Sequence, residues 1–298
     1  MVHVMSTHSL LFSQIITGIG IGSRLFLVAV GLSLIFGVLD VLNFAHGVLY
    51  MIGAYVAIVV VESVVGSFVL GVVAAVVAVA VVGGALESVF IRRLYGRDEE
   101  ILDQLLLTFA FVLIIEDIVR SVFGSGGKSL TPPEVLTGTV PLGGGFSIPT
   151  YRAFVVVIAV LVLAGLLAVL RYTNVGRVVR ATSSDREMAR LLGIDVPRLY
   201  TGVFVVGAAL AGLGGALAAP AESISSDLGN SVIIDAFVVV VIGGLGSFVG
   251  AFVGAMLIGV LTALGSFVIA GAGELFPFLA MIVVLVLRPT GLFGGAEV

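Results

Sequence analysis

Apolar segments recur along almost the whole chain, at residues 10–23, 25–41, 47–62, 66–91, 101–123, 150–170, 199–219, 232–246, 249–268 and 275–288. A helix needs about 20 apolar residues to cross a hydrocarbon layer of about 30 Å, and it keeps every backbone polar group satisfied internally. Such a chain is expected to be all-α, a polytopic membrane helix bundle with residues 1–298 forming one transmembrane unit. Segments of about 15 residues rise only about 22 Å, so broken or re-entrant helices are expected among a total of about eight spans. Composition excludes an ordinary soluble domain: 60% of residues are hydrophobic, 11% are charged, and mean hydropathy is +1.29. The 40 glycines suit helices that approach closely in lipid. With no cysteine, disulfides, thiolate metal sites and thiol catalysis are excluded, and a net charge of -4 offers nothing to nucleic acid. Met1 to Ser9 lack the basic region of a cleavable signal, so the first apolar segment is expected to remain in the mature chain.

Arginines set the expected orientation. The stretch 171–198 carries Arg171, Arg177, Arg180, Arg186, Arg190 and Arg198, and a shorter loop carries Arg92, Arg93 and Arg97. The positive-inside bias puts both in the cytoplasm, so the loop 124–149 between the intervening spans lies outside. Arg24 leaves two placements open: the edge of a second span preceded by an interfacial helix, or a buried site among polar partners.

Polar residues inside the greasy runs are the candidate site. Asn43-Phe44-Ala45-His46-Gly47 places an amide and an imidazole between apolar segments. Buried in lipid they would need partners or water, which points to a passage; at the membrane surface they would be a polar turn. In a continuous helix Asn43 and His46 share a face, and Gly47 would permit a break that exposes backbone to a lumen. Asp235 is expected at the outer rim or facing the bundle interior. Gly243-Gly244-Leu245-Gly246-Ser247 is expected to interrupt helix, as a re-entrant turn or a short loop, and Gly250 and Gly254 offer a small-residue packing face. Glu87, Glu116 and Asp117 are expected to pair with an arginine or to mark span ends, while His3 and His8 sit too near the terminus to be ligand candidates.

Two loops carry further signals. In 124–149, Gly124-Ser125-Gly126-Gly127-Lys128-Ser129, Pro132-Pro133 and Pro141-Leu142-Gly143-Gly144-Gly145 preclude regular helix and describe a turn-rich surface with a short strand or two, a docking face or an inert connector. Gly127-Lys128-Ser129 is no phosphate-binding loop, because Val122 stands where the motif needs its first glycine. In 171–198, Ser184 or Asp185 offers a helix N-cap and Gly193 a C-terminal stop, framing a helix of about two turns. Met188, Leu191 and Leu192 would form its apolar face and Arg186, Glu187 and Arg190 its charged face. A helix so short needs a partner, the headgroup plane or a groove on another protein.

Four blocks in order carry a family resemblance. Phe36 to Gly47 followed by Tyr50 to Tyr55, then Gly176 to Ile194, then Ile242 to Ser247 with Gly250 and Gly254, and finally Arg288 to Gly294 resemble the branched-chain amino acid ABC transporter permeases of the LivH type. The likeness is weakest in the outer loop and around Thr262 to Phe276. It implies a multi-pass plasma-membrane subunit without chemistry or cofactor of its own, forming half of a channel with a homologous second permease. Two cytoplasmic ABC ATPase subunits would drive it, an extracytoplasmic substrate-binding protein would deliver cargo, and membrane lipid would surround it. The stretch around Asp185 to Gly193 resembles the loop that importer permeases insert into an ATPase groove. Ala189 and Gly193 fit that pattern; the usual opening glutamate has no clear counterpart, Asp185 and Glu187 both being near, and Arg180 precedes the stretch while Arg186 lies within it. Leucine, isoleucine and valine are the implied cargo, with urea or short-chain amides as the alternative in similar permeases.

Two other classes make different demands. An ion-coupled secondary transporter would use Asp40, Asp235 or Glu116 and would work alone on an ion gradient. An intramembrane hydrolase would need Ser247 and His46 to act without an orienting acid, and intact transport after Ser247→Ala would remove it.

Overall fold

The computed structural model describes residues 7–95, 100–143, 146–269, 271 and 273–294. The expectations that involve Met1 to Ser6, His3, Arg97 and the Gly144-Gly145 pair lie outside the described residues. The helices are α1 Thr7–Leu39, α2 Ala45–Val59, α3 Phe68–Val89, α4 Glu100–Phe123, α5 Thr150–Tyr172, α6 Asn174–Ser184, α7 Arg186–Leu191, α8 Val196–Ala218, α9 Leu228–Gly243, α10 Phe248–Val268 and α11 Leu275–Leu287. A hairpin of β1 Thr139–Gly143 and β2 Phe146–Pro149 lies in the loop before α5.

The first two expected segments are one element. α1 runs unbroken for 33 residues, roughly 50 Å, straight through Arg24. Arg24 does not end the helix because Glu222, far away in sequence, meets it: Arg24 Nη1 donates to Glu222 Oε2 at 3.1 Å. Of the two placements open for Arg24, the one among polar partners holds. Among the described residues, six helical segments are long and apolar enough to cross a membrane: Leu10–Leu39, Ala45–Val64, Phe68–Leu94, Thr150–Tyr172, Val196–Ala218 and Phe248–Val268. α4, 24 residues long, matches them in length but carries Glu116, Asp117 and Arg120; α9 and α11 are shorter.

Burial sorts the spans into layers. The most apolar 18-residue stretch of Leu10–Leu39 is 72% buried and that of Thr150–Tyr172 only 17%, so α1 is central and α5 peripheral. α8 packs on α1, α2 and α3, and α10 lies along α1. There Gly18 and Gly22 of α1 sit against the backbone of Gly259 and Ala255 of α10, closer than a side chain would permit. On α3, Val69, Val73, Val77 and Val81 are exposed at a spacing of four, while Ala75, Val79 and Gly83 are buried on the opposite face. A valine stripe of this kind faces lipid, not water. α4 likewise turns Leu106, Leu113 and Ile118 outward, but it buries the polar Gln104 and Thr108 beside Val112.

The loop 124–149 does not stand alone. Lys128 pairs with Ile224 through two backbone hydrogen bonds, 2.9 and 2.7 Å, and Leu130 N–H donates to the Ala219 carbonyl at 2.9 Å. That loop closes the end of the bundle where α8 passes into α9. At the other end Tyr95, after the Arg92-Arg93 turn, lies 5.4 Å from the Tyr200 ring, and the Arg186 guanidinium lies 5.6 Å from the same ring. The two arginine-bearing stretches therefore share an end, as the charge pattern requires.

Candidate functional site

All four sequence blocks that carried the resemblance meet at the arginine-bearing end. Gly37 packs on Gly246 so closely that a Cβ on Gly37 would lie 2.9 Å from the Gly246 Cα. The amides of Leu292 and Phe293 donate to the carbonyls of Ile242 and Gly243, at 2.8 and 3.0 Å, which seats the last block on the third. Arg186 of the second block reaches Leu39 and Asp40 of the first. A cleft of about 520 Å³ lies among them, lined by Gly37, Val179, Arg180, Ser183, Gly246 and Phe248.

The break between α1 and α2 is the polar heart of this end. It lies at Asp40 to Phe44, earlier than the sequence reading placed it; Gly47 is inside α2. Gly47 is there for contact, because the Gly229 carbonyl of α9 occupies the space a side chain would need. The chain turns at Asp40, whose φ is +54, the left-handed region that residues with a side chain rarely enter. Asp40 N–H still donates to the Phe36 carbonyl at 2.9 Å. Asn43 then points into the bundle at 0% exposure, with neither Oδ1 nor Nδ2 hydrogen-bonded to any described residue. His46 is equally buried; its Nε2 donates to the Val28 carbonyl at 3.1 Å, and Nδ1 has no partner. Since Asn43 lies in the break and His46 in α2, the continuous-helix face imagined for the pair does not exist. Phe44 N–H donates to Thr108 Oγ1 at 3.3 Å, tying α4's inward polar stripe to the break.

The other candidates fall into two groups. Gly244 and Gly246, at φ +103 and +80, form a tight turn between α9 and α10, and Ser247 Oγ accepts from Gly250 N–H at 3.0 Å. Gly243 and Gly250 meet backbone to backbone, and a Cβ on Gly254 would lie 2.7 Å from the Val239 carbonyl, so Gly250 and Gly254 pack α10 on α9 of the same chain. Asp235 is half-buried on α9, and no hydrogen bond or ion pair joins it to Asn43, His46 or any other described residue. Glu87 takes a tyrosine where an arginine was one expectation: Tyr95 Oη donates to Glu87 Oε1 at 3.2 Å, one turn from the end of α3.

α6 and α7 form an elbow that the sequence reading described only in its second half. α6 buries Gly176, Val179 and Thr182 on one face; Thr173 caps it by accepting from Gly176 N–H at 3.1 Å, and Arg180 donates back to the Leu170 carbonyl. Asp185, not Ser184, caps α7 by accepting from Met188 N–H at 2.8 Å. α7 closes at Gly193, φ +85, with Ile194 N–H donating to the Ala189 carbonyl and Gly193 N–H to that of Arg190. These two bonds make a Schellman stop. Ala189 is buried, whereas Met188, Leu191 and Leu192 are 51%, 77% and 74% exposed. Glu187 and Arg190 also face outward, but Arg186 turns inward and so leaves the charged face expected of it.

Sequence reasoning missed Glu222. It accepts from Arg24 on α1 and from Tyr50 Oη on α2, the latter at 3.0 Å, in the segment linking α8 to α9. A cavity of about 350 Å³ lined by Arg24, Tyr151, Arg152 and Pro220 lies beside it. The one available signal was an acidic residue two positions after Pro220, against an unexplained arginine 198 residues away.

Comparisons with known proteins give one family and several relatives. The family described as branched-chain amino acid transport system/permease component matches residues 14–287. The chain is 31% identical to the high-affinity branched-chain amino acid transport system permease protein LivH of Salmonella typhimurium, over 99% of both chains. It is 31% identical to BraD of Pseudomonas aeruginosa over 96% of both, and 27% identical to a probable LivH of Methanocaldococcus jannaschii over 91% of this chain and 88% of that one. No solved structure matches. With a helical membrane bundle, a family match over most of its length and full-length relatives at this identity, the chain belongs to the branched-chain amino acid transport permease-component family.

Proposed function

We propose that this chain is one permease subunit of an ATP-driven importer of branched-chain amino acids in the plasma membrane. It pairs with a homologous second permease, two cytoplasmic ATPase subunits drive it, and an extracytoplasmic binding protein delivers the amino acid. The arginine-bearing end is cytoplasmic and the loop 124–149 is outside. Asn43, His46 and Asp235 serve the passage, and the turn at Gly243, Gly244 and Gly246 forms a fixed wall beside its inner mouth.

The observation that carries this reading is α7: six residues, capped at both ends, with Met188, Leu191 and Leu192 exposed beyond the bundle. So short a helix is marginal by itself, and leucines that face neither the core nor a lipid-facing stripe of the spans call for a groove on another protein. Arg180 and Asp185 fix the elbow, Ala189 seats it, Glu187 frames the contact and Gly193 ends it. Replacing both Leu191 and Leu192 by Asp should release the ATPase subunits from the purified complex and abolish uptake, with the chain still inserted. Retention of the ATPases at normal stoichiometry would overturn the docking role.

A further inference from the structure

Arg186 belongs to α7 yet reaches away from any partner on its exposed face. Its Nη2 donates to the Leu39 carbonyl at 2.8 Å and to Asp40 Oδ2 at 2.5 Å, while the guanidinium stacks near Tyr200. Both acceptors are at the C-terminus of α1. The Leu39 carbonyl is among the last of the helix, which have no acceptor role left within it, and a cation there is favoured. Asp40 is the one non-glycine described residue with positive φ. Three residues on lies Asn43, buried completely, its side-chain amide without a hydrogen-bond partner among the described residues.

The left-handed turn at Asp40 ends α1 and sends the backbone back into the bundle, which is what buries Asn43. Such a backbone state persists only where surroundings hold it. The ion pair holding it is exposed, 36% on the Arg186 side chain and 71% on Asp40, so it is weak as a stabiliser and easily broken. We infer that Arg186 is a positioning residue, a latch that holds the α1–α2 break in the state that hides Asn43. Displacement of α7 withdraws the guanidinium, Asp40 leaves the left-handed region, and the Asn43 amide swings out to the passage. This rests on α7 being the ATPase-docking element, and it adds the link from that element to the passage.

The test uses the assembled transporter. The chain has no cysteine, so Asn43→Cys introduces a single thiol in it. A membrane-permeant methanethiosulfonate should label that thiol slowly, and about ten-fold faster when Arg186→Ala is added. Separately, Arg186→Ala and Asp40→Ala should each lower amino acid transported per ATP hydrolysed about five-fold, with the ATPases still bound, and together should lower it no further. An unchanged labelling rate, or losses that add, would overturn the latch. Loss of the ATPases from Arg186→Ala would overturn it too, by assigning Arg186 to the docking surface. Should Arg186→Ala not assemble at all, Arg186→Lys carries the same labelling test, with an intermediate rate supporting the latch and an unchanged rate rejecting it. Failure of the docking reading is seen separately, as ATPases retained after the Leu191 and Leu192 changes.

Discussion

Two interruptions of apolar helix lie close together, Gly246 of one packing on Gly37 just ahead of the other, and they are built in opposite ways. At the α9–α10 turn, glycines take the positive φ angles, Ser247 caps the next helix, and the amides of Leu292 and Phe293 satisfy the carbonyls of Ile242 and Gly243. At the α1–α2 break an aspartate takes the left-handed angle, and the side-chain amide of Asn43 is buried without a partner among the described residues. The first is a closed joint with nothing left to gain by moving. The second keeps strain and unsatisfied polar atoms in a lipid-embedded interior, where both are costly. Of the two, only the second has a reason to rearrange.

That contrast is easiest to break at the closed joint. Gly244→Val meets both a φ of +103 and the Gly294 amide, which a Cβ would approach to 2.5 Å, so it should cost about 3 kcal/mol or more and remove most monodisperse protein from detergent extracts. A normal yield would show the joint to be less rigid than described. At the far end, Glu222→Gln leaves Arg24 without its carboxylate and should lower thermal stability in detergent by about 2 kcal/mol, with Glu222→Ala at least as damaging. An unshifted melting curve would demote the pair to a surface contact.

The open joint should respond in the other direction. Asn43→Leu removes a buried amide that has no partner, so stability should hold or rise by about 1 kcal/mol while uptake falls about ten-fold. Destabilisation together with normal uptake would make Asn43 a structural residue. The smallest effect is expected for Asp40→Gly, which relieves the left-handed angle and should change the melting temperature by no more than the equivalent of about 1 kcal/mol. A large loss of stability there would mean that the Arg186 contact holds the fold together, against its exposed geometry.

How much of this could be read from the chain depends on distance along it. Local signals read well: Asp185 as cap and Gly193 as stop are set by neighbours three and four residues away. The glycine turn after α9 was legible for the same reason. Arg24 was not, because its partner Glu222 is 198 residues away and hydropathy alone treats a lone arginine as a span edge. The break was placed at Gly47 because glycine is the usual breaker, yet the turn falls on Asp40, whose conformation depends on Arg186 in another helix. Nor did spacing reveal that Arg186 leaves the charged face of α7. That follows from where the end of α1 lies in the packed bundle.

Where the work of uptake comes from can be measured directly. Purified chain alone in liposomes, given an inward sodium or proton gradient, should show no accumulation of leucine, isoleucine or valine. The same chain assembled with a second permease, the ATPases and the binding protein should accumulate them when ATP is supplied, and stop when it is not. Uphill uptake by the isolated chain on an ion gradient would contradict ATP-driven import.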